Sequence, residues 1–437
     1  MAKQVDRSLL EFLGIDRFPF ITTALMPPYD NLFINREDDL KYMRTYIRTR
    51  QNCAIIGSQG SGKSSFLYNL KESMKSEVYG SYLQFAFPQD NANVRINFLR
   101  RVLRELILIV GENDELMKET PVDLFFELNR LDYSIIFETY GSKWSETISE
   151  IEGGITGTMA ALLLPASVKA KLKNDRKTES GQKEQKQIPL HTEETIRETI
   201  GRIAGAIPVP VVFFIDELDK AGRYPFEDPM WDTEVMRLLE LSREIMVHNN
   251  LIFVFALQEE LQKKLKDAKR GKGDTSLLGL IPKYRVLELF DIGMTKDAVI
   301  HALNMANYKG DIDSFFERGM IELCVAIARG NPRLIMTHLS NAVDTAYILK
   351  TTPVSLECLR ESMKQEFGDI TEPKRWAILT NLSRGEALSH DFSDRENLKF
   401  LIESDIVKGN VDKPQVCCLN YIFRGVAEAD PPKALNS

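Results

Sequence analysis

Gly57-Ser58-Gln59-Gly60-Ser61-Gly62-Lys63-Ser64 is the stretch that decides the fold of this chain. It satisfies G-x-x-x-x-G-K-[ST] in the context such a loop needs, with the apolar run Cys53–Ile56 before it and a helical stretch over 64–74 after it. Glycines let the backbone curl until successive N–H groups face phosphate oxygens. The following helix adds the positive end of its dipole. On this reading Gly57, Ser58, Gln59, Gly60, Ser61, Gly62 and Ser65 build a cradle for a nucleoside triphosphate. Lys63 neutralises the β- and γ-phosphates, and the Ser64 hydroxyl ligates Mg2+.

Two further apolar runs, over 211–215 and 251–257, are continuous rather than alternating. Strands buried on both faces of a parallel sheet look like this. The first run ends in Asp216-Glu217, and ligands of open α/β sheets bind where such strands end. Asp216 is the candidate to hold Mg2+ through water, and Glu217 to orient or deprotonate the attacking water. Amphipathic helices fall between the runs, one of them over 230–248. The expected fold is therefore α/β, a P-loop NTPase sheet with helices on both faces. After Met294 the strand signals stop. A helical lid is expected over 294–370, in which Ser314 and Glu317 read as a capping box. A small winged-helix-like module is expected over 371–437, from a helix over 396–406 and an alternating run over 416–423.

The loop, the Asp-Glu ending and the order of elements resemble the AAA+ ATPases and their STAND relatives, in the branch that includes replication initiators. Phe33-Ile34-Asn35-Arg36-Glu37 is similar to that family's Phe-x-Gly-Arg-Glu box beside the adenine, with Asn35 in place of the glycine. The likeness makes Arg36 a nucleotide-side residue. Gly330-Asn331-Pro332-Arg333 looks like the sensor-2 motif of the lid. Asn331 is a good N-cap and Pro332 suits the first helical position, so Arg333 falls in a first turn where the helix dipole disfavours a cation. A bound triphosphate would reverse that penalty. The resemblance further implies an arginine finger at Arg285, with Lys283 the weaker candidate. It also places a sensor-1 residue at Gln258, where the run over 251–257 ends. It implies ATP and Mg2+ as ligands and assembly into a homo-oligomer.

Lys63 and Asp216 are 153 residues apart, well beyond the spacing usual in the family the chain resembles, so the resemblance implies an insertion over about 100–190 inside the ATPase domain, itself spanning 51–293 after a lead-in over 1–50. The insertion holds the apolar segment 153–168, shorter than the roughly 20 residues that cross a bilayer and interrupted by Pro165, so no membrane span is expected. KAP-type ATPases, which carry insertions at this place, are a minority alternative. The insertion also holds a loop over 169–187 with seven basic and three acidic side chains. Five cysteines without CxxC spacing read as reduced thiols of a cytoplasmic protein rather than a zinc site or disulfide frame. Net charge is −7, which argues against nucleic-acid binding by charge alone. Two roles follow: an ATP-driven switch that assembles with itself or with partner proteins, or an ATP-dependent DNA-binding initiator or loader. The second would draw on Arg95, Arg100, Arg101 and Arg104. Residues 371–437 carry nine basic and ten acidic side chains, a balance that favours the switch.

Overall fold

The apolar runs become strands of one sheet. Cys53–Ile56 (β1), Tyr79–Gln84 (β2), Val211–Asp216 (β3), Leu251–Leu257 (β4) and Lys283–Val286 (β5) lie side by side in the order β2-β3-β4-β1-β5. β1 runs parallel to both neighbours, Ile56 standing level with Leu257 on one side and Val286 on the other. The chain leaving β1 heads for the β2 edge, and the chain leaving β4 heads for the β5 edge. Loops that diverge from adjacent parallel strands open a crevice at their C-terminal ends. The phosphate loop leaves β1 and Gln258 leaves β4 at that point.

Both faces of β1, β3 and β4 are buried, which is why these runs are continuous rather than alternating. On one face Ile55, Val212, Phe214, Ile252 and Val254 pack with Met43 and Ile47 of α2 (Glu37–Arg48) and Phe66, Leu67 and Leu70 of α3 (Lys63–Met74). On the other, the rings of Phe213, Phe253 and Phe255 stack at 5.3 and 6.1 Å. Each fully buried ring contributes about 2–3 kcal/mol of burial.

The structure describes residues 7–85, 94–111, 193–218, 238–239, 242–259, 279–389 and 392–420. The segment 153–168, the charged loop 169–187 and most of the expected insertion fall outside them, as does most of the helix expected over 230–248. The chain forms two compact units. Asp90–Val211 and Leu241–Leu251 make one; Met1–Gln89, Val212–Glu240 and Ile252–Ser437 make the other. In the first, Val94–Gly111 (α4) and Glu193–Ala206 (α5) bury Phe98, Val102, Leu106, Ile196, Ile200 and Ile203. Its short helix Arg243–Met246 (α6) supplies Glu244, which Arg197 engages. Arg100 and Arg101 of α4 are half-buried and Arg104 is exposed. Among the described residues no helix is long and apolar enough to cross a membrane.

Past the sheet the chain is helical: Ile292–Met305 (α7), Ile312–Phe315 (α8), Met320–Ile327 (α9), Pro332–Leu349 (α10), Leu356–Met363 (α11), Pro373–Ser383 (α12) and Arg395–Glu403 (α13). An antiparallel hairpin of Val407–Asn410 (β6) and Lys413–Leu419 (β7) follows. One apolar core runs through all of these and the N-terminal helix Arg7–Leu13 (α1), joining Leu13, Leu323, Ile335, Leu359, Leu379, Leu401 and Leu419. The expected capping box at Ser314 is replaced. Asp311 caps α8 by accepting from Ser314 N–H, and the chain then extends so that Phe316 bridges to Val354. Glu317 is thereby freed to accept from Leu356 N–H and to pair with Arg384 of α12.

Candidate functional site

The crevice at the ends of β1, β3 and β4 is a cavity lined by the loop residues Gln59, Gly60, Ser61, Gly62, Lys63, Ser64 and Ser65. Asp216, Glu217 and Gln258 line it from the strand ends, and Arg333 with Pro332 from the start of α10. Gly57 and Ser58 stand behind it, their carbonyls accepting from Lys63 Nζ at 2.8 and 3.0 Å. That ammonium is held on its own loop, within reach of any anion the loop accepts. The Ser65 hydroxyl accepts from Leu25 N–H at 2.8 Å, joining two residues of the cavity wall.

The two carboxylates are placed differently. Asp216 is 3% exposed, and both its oxygens are engaged: Oδ1 by Glu217 N–H at 2.9 Å, Oδ2 by the Tyr82 hydroxyl at 2.6 Å. Burial and the nearby Asp216 charge push the Tyr82 phenol up, which keeps it a donor at physiological pH. Glu217 holds a left-handed backbone with φ 59°, a conformation that costs a non-glycine residue about 1–2 kcal/mol. Strain of this kind collects at functional sites, and here it follows directly on the carboxylate strand.

The start of α10 reaches the loop through a few atoms. The Asn331 side chain caps α10 by accepting from Arg333 N–H at 3.1 Å and Leu334 N–H at 3.3 Å. Its amide donates back to the Gln59 carbonyl at 2.6 Å. Arg333 N–H also approaches the Gly60 carbonyl at 3.4 Å. The fit is tight: a Cβ on Gly60 (φ +82°) would lie 2.5 Å from Asn331 Oδ1 and 3.1 Å from Arg333 Cβ.

Much of the remaining wall is apolar, formed by Leu32, Phe33, Ile34, Phe290 and Met336, with Ala298 and Ala302 as small residues on α7. Arg36 borders it as the N-cap residue of α2. Its guanidinium is buried under the Phe290 ring at 5.3 Å, donates to the Glu288 carbonyl and faces Asp39 at 3.8 Å. Burial lowers its pKa while Asp39 and Glu288 oppose that shift. Asn35 accounts for the departure from glycine in its motif. Its φ is 63°, a left-handed position that asparagine tolerates, and its amide donates to Met294 O at 2.8 Å.

The two finger candidates, Arg285 and Lys283, do not line this cavity. β5 starts at Lys283, so Arg285 lies inside the strand, level with Ile55. Its guanidinium pairs with Asp39 at 2.9 Å and lies over the Tyr42 ring at 4.5 Å. Three participants were not anticipated. Tyr82 comes from a strand with no apolar signature. Asn331 was read as a cap and is also a tether. The segment with Pro19, Ile21, Thr22, Thr23, Ala24 and Leu25 lines the cavity from what read as a lead-in.

The donor set fits a hard cation carrying phosphate. Mg2+ is held by one or two protein oxygens together with waters and phosphate oxygens, and Ser64 with Asp216 is such a pair.

No family model matches the chain, and no curated protein sequence does. Solved structures resemble it over most of its length. A Walker-type ATPase of Pyrococcus abyssi is 11% identical at a TM-score of 0.40, over 93% of this chain and 98% of that one. The ORC2 protein of Aeropyrum pernix, in its ADPNP and ADP complexes, is 10% identical at 0.43, over 93% of both chains. The RuvB branch-migration motor of Thermotoga maritima is 11% identical at 0.35, over 89% of this chain and 92% of that one. At such scores neither activity nor substrate passes from those proteins to this one.

Proposed function

We propose that this chain is an AAA+-like ATPase that works as a switch, binding ATP with Mg2+ and changing the position of its lid as ATP is hydrolysed. One observation carries the reading: the phosphate loop, the Asp216-Glu217 strand end and Arg333 of the lid converge on one cavity whose far wall is apolar. Triphosphate oxygens would take the loop N–H groups, and Lys63 would exchange the Gly57 and Ser58 carbonyls for them. The purine would lie in the slot bounded by Ile34, Phe290, Ala298 and Met336. Bound Mg2+ would draw charge from the β- and γ-phosphate oxygens. Ser64 and Asp216 would hold the ion, and Glu217 would take a proton from the water that attacks the γ-phosphorus as the bond to ADP breaks. Arg333 would face the growing negative charge from the lid side.

A switch is favoured over metabolic phosphoryl transfer because the contact between loop and lid continues onward. Residues 329–333 reach the loop through Asn331 and Arg333, and reach the end of α13 through Arg329, which donates to the Ser404 carbonyl at 3.3 Å. The module that follows α11 is thus the proposed output, with a protein as its partner.

The test is a pair of variants. Lys63→Ala is expected to abolish binding of a fluorescent ATP analogue. Glu217→Gln is expected to bind it while hydrolysis falls by about 100-fold or more. Undiminished phosphate release from Glu217→Gln would overturn the role given to that residue, and undiminished binding by Lys63→Ala would overturn the site.

A further inference from the structure

The carboxylate that ends β3 is held from outside the cavity by a residue of another strand. Tyr82 lies on β2, does not line the cavity, and donates its hydroxyl to Asp216 Oδ2 at 2.6 Å. The ring is fixed from two directions. It packs edge-on against Tyr68 of α3, the helix that begins at Lys63, with centroids 6.5 Å apart. Just past β2, Phe85 N–H donates to the Asp216 carbonyl at 2.8 Å, which locks the ends of the two strands together.

A carboxylate oxygen can accept in two directions. For Asp216 one direction on each oxygen is taken, by Tyr82 and by Glu217 N–H. The side chain is 3% exposed, so bulk water does not replace a lost donor. With both oxygens pinned, the carboxylate plane is set before any ion arrives. Mg2+ demands near-octahedral geometry, so the plane of a contributing carboxylate matters more to it than to a more permissive cation.

We propose that Tyr82 is a positioning residue, which orients the Asp216 carboxylate for the Mg2+ of a bound nucleotide. The inference rests on the ATPase reading above. It assigns to β2 a part in cation binding that neither the loop motif nor the Asp-Glu ending contains.

The experiment measures the affinity of full-length wild type and Tyr82→Phe for N-methylanthraniloyl-ATP, first in EDTA and then across a Mg2+ titration. Phenylalanine keeps the ring and its packing on Tyr68. The expected result is equal affinity in EDTA and a Mg2+ midpoint raised by about 10- to 100-fold, the usual cost of removing an outer partner of a metal-binding group. Tyr82→Leu, which also removes the ring, is expected to show the same midpoint shift with an added loss of thermal stability. An unchanged midpoint in Tyr82→Phe overturns the inference and leaves the ATPase reading intact. Equal weakening with and without Mg2+ also overturns it, because that marks support of the fold alone. Failure of the wild type to bind the analogue at any Mg2+ concentration overturns the ATPase reading, and the inference falls with it.

Discussion

Replacing Asn331 separates two jobs that one side chain performs. Its carbonyl oxygen caps α10 through Arg333 and Leu334 N–H, and its amide ties the Gln59 carbonyl at 2.6 Å. Asn331→Ala removes both. Loss of an N-cap costs about 1 kcal/mol, and loss of the tether about another 1 kcal/mol. A total of about 2 kcal/mol lowers a urea midpoint by roughly 0.7 M at a slope of about 3 kcal/mol/M. Asn331→Ser keeps a capping oxygen but has no amide to reach Gln59, so it is expected to lose only about half as much stability. For ATP the ranking differs. Arg333 is positioned by the contact between loop and lid, so both variants are expected to weaken binding by a similar factor of about five, the equivalent of 1 kcal/mol. Urea unfolding and ATP titration of the three proteins check this. Equal stability of the serine and alanine variants, or wild-type ATP affinity in both, would refute the division into cap and tether.

The close approach of lid and loop at Gly60 makes a second prediction. Gly60→Ala places a Cβ 2.5 Å from Asn331 Oδ1 and forces alanine to φ +82°, so ATP affinity should fall by about tenfold or more while the fold persists; calorimetric titration measures it. His338 of α10 gives a pH dependence. It is 3% exposed, its ring sits edge-on to Phe367, and burial pushes its pKa down from 6.5 to about 4. The unfolded chain therefore binds the extra proton first. Stability is full above pH 6.5 and declines as pH falls toward 4, by about 2 kcal/mol at pH 5. Unfolding of His338→Leu beside wild type at pH 5 and 7.5 should show a shallower decline in the variant.

How much of this was written in the sequence depends on how far each interaction reaches along the chain. The loop over 57–64 and the Asp216-Glu217 ending were legible because their chemistry is local: glycines at tight turns, a lysine and hydroxyl at a helix start, acids at the end of a buried strand. The cap at Asn331 was legible for the same reason, but its tether to Gln59 was not, since 272 residues intervene. Tyr82 was hidden twice over. Its strand alternates between half-buried and buried positions and lacks a continuous apolar run, and its partner is 134 residues away. The pairing of Arg285 with Asp39 on α2 was hidden for the same reason, since 246 residues separate them and only the register of β5 beside β1 brings them together. Asn35 departed from a glycine pattern for a reason only backbone geometry supplies, because asparagine can hold the same left-handed turn.

A ligand shifts a conformational balance only by contacts that differ between the two states. Here those contacts belong to few atoms: Lys63 on its own carbonyls, the Asn331 amide on Gln59, and Arg333 beside Gly60. On the proposed reading, triphosphate binding would compete with the first and add charge opposite the last, so α10 is the element whose position ATP would bias. What the lid carries is set by packing. A Cβ at Gly319, before α9, would lie 2.5 Å from Ser383 Oγ at the end of α12. Glu317 pairs with Arg384, and Arg329 holds Ser404. With the apolar core continuous from α1 to β7, displacement of α10 relative to the loop without α12 and α13 would open that core and strand these polar groups. Moving the lid and the C-terminal helices together keeps both intact. On the proposed reading, the energy of ATP binding would therefore reach the hairpin end of the chain as a rigid displacement, as a switch requires.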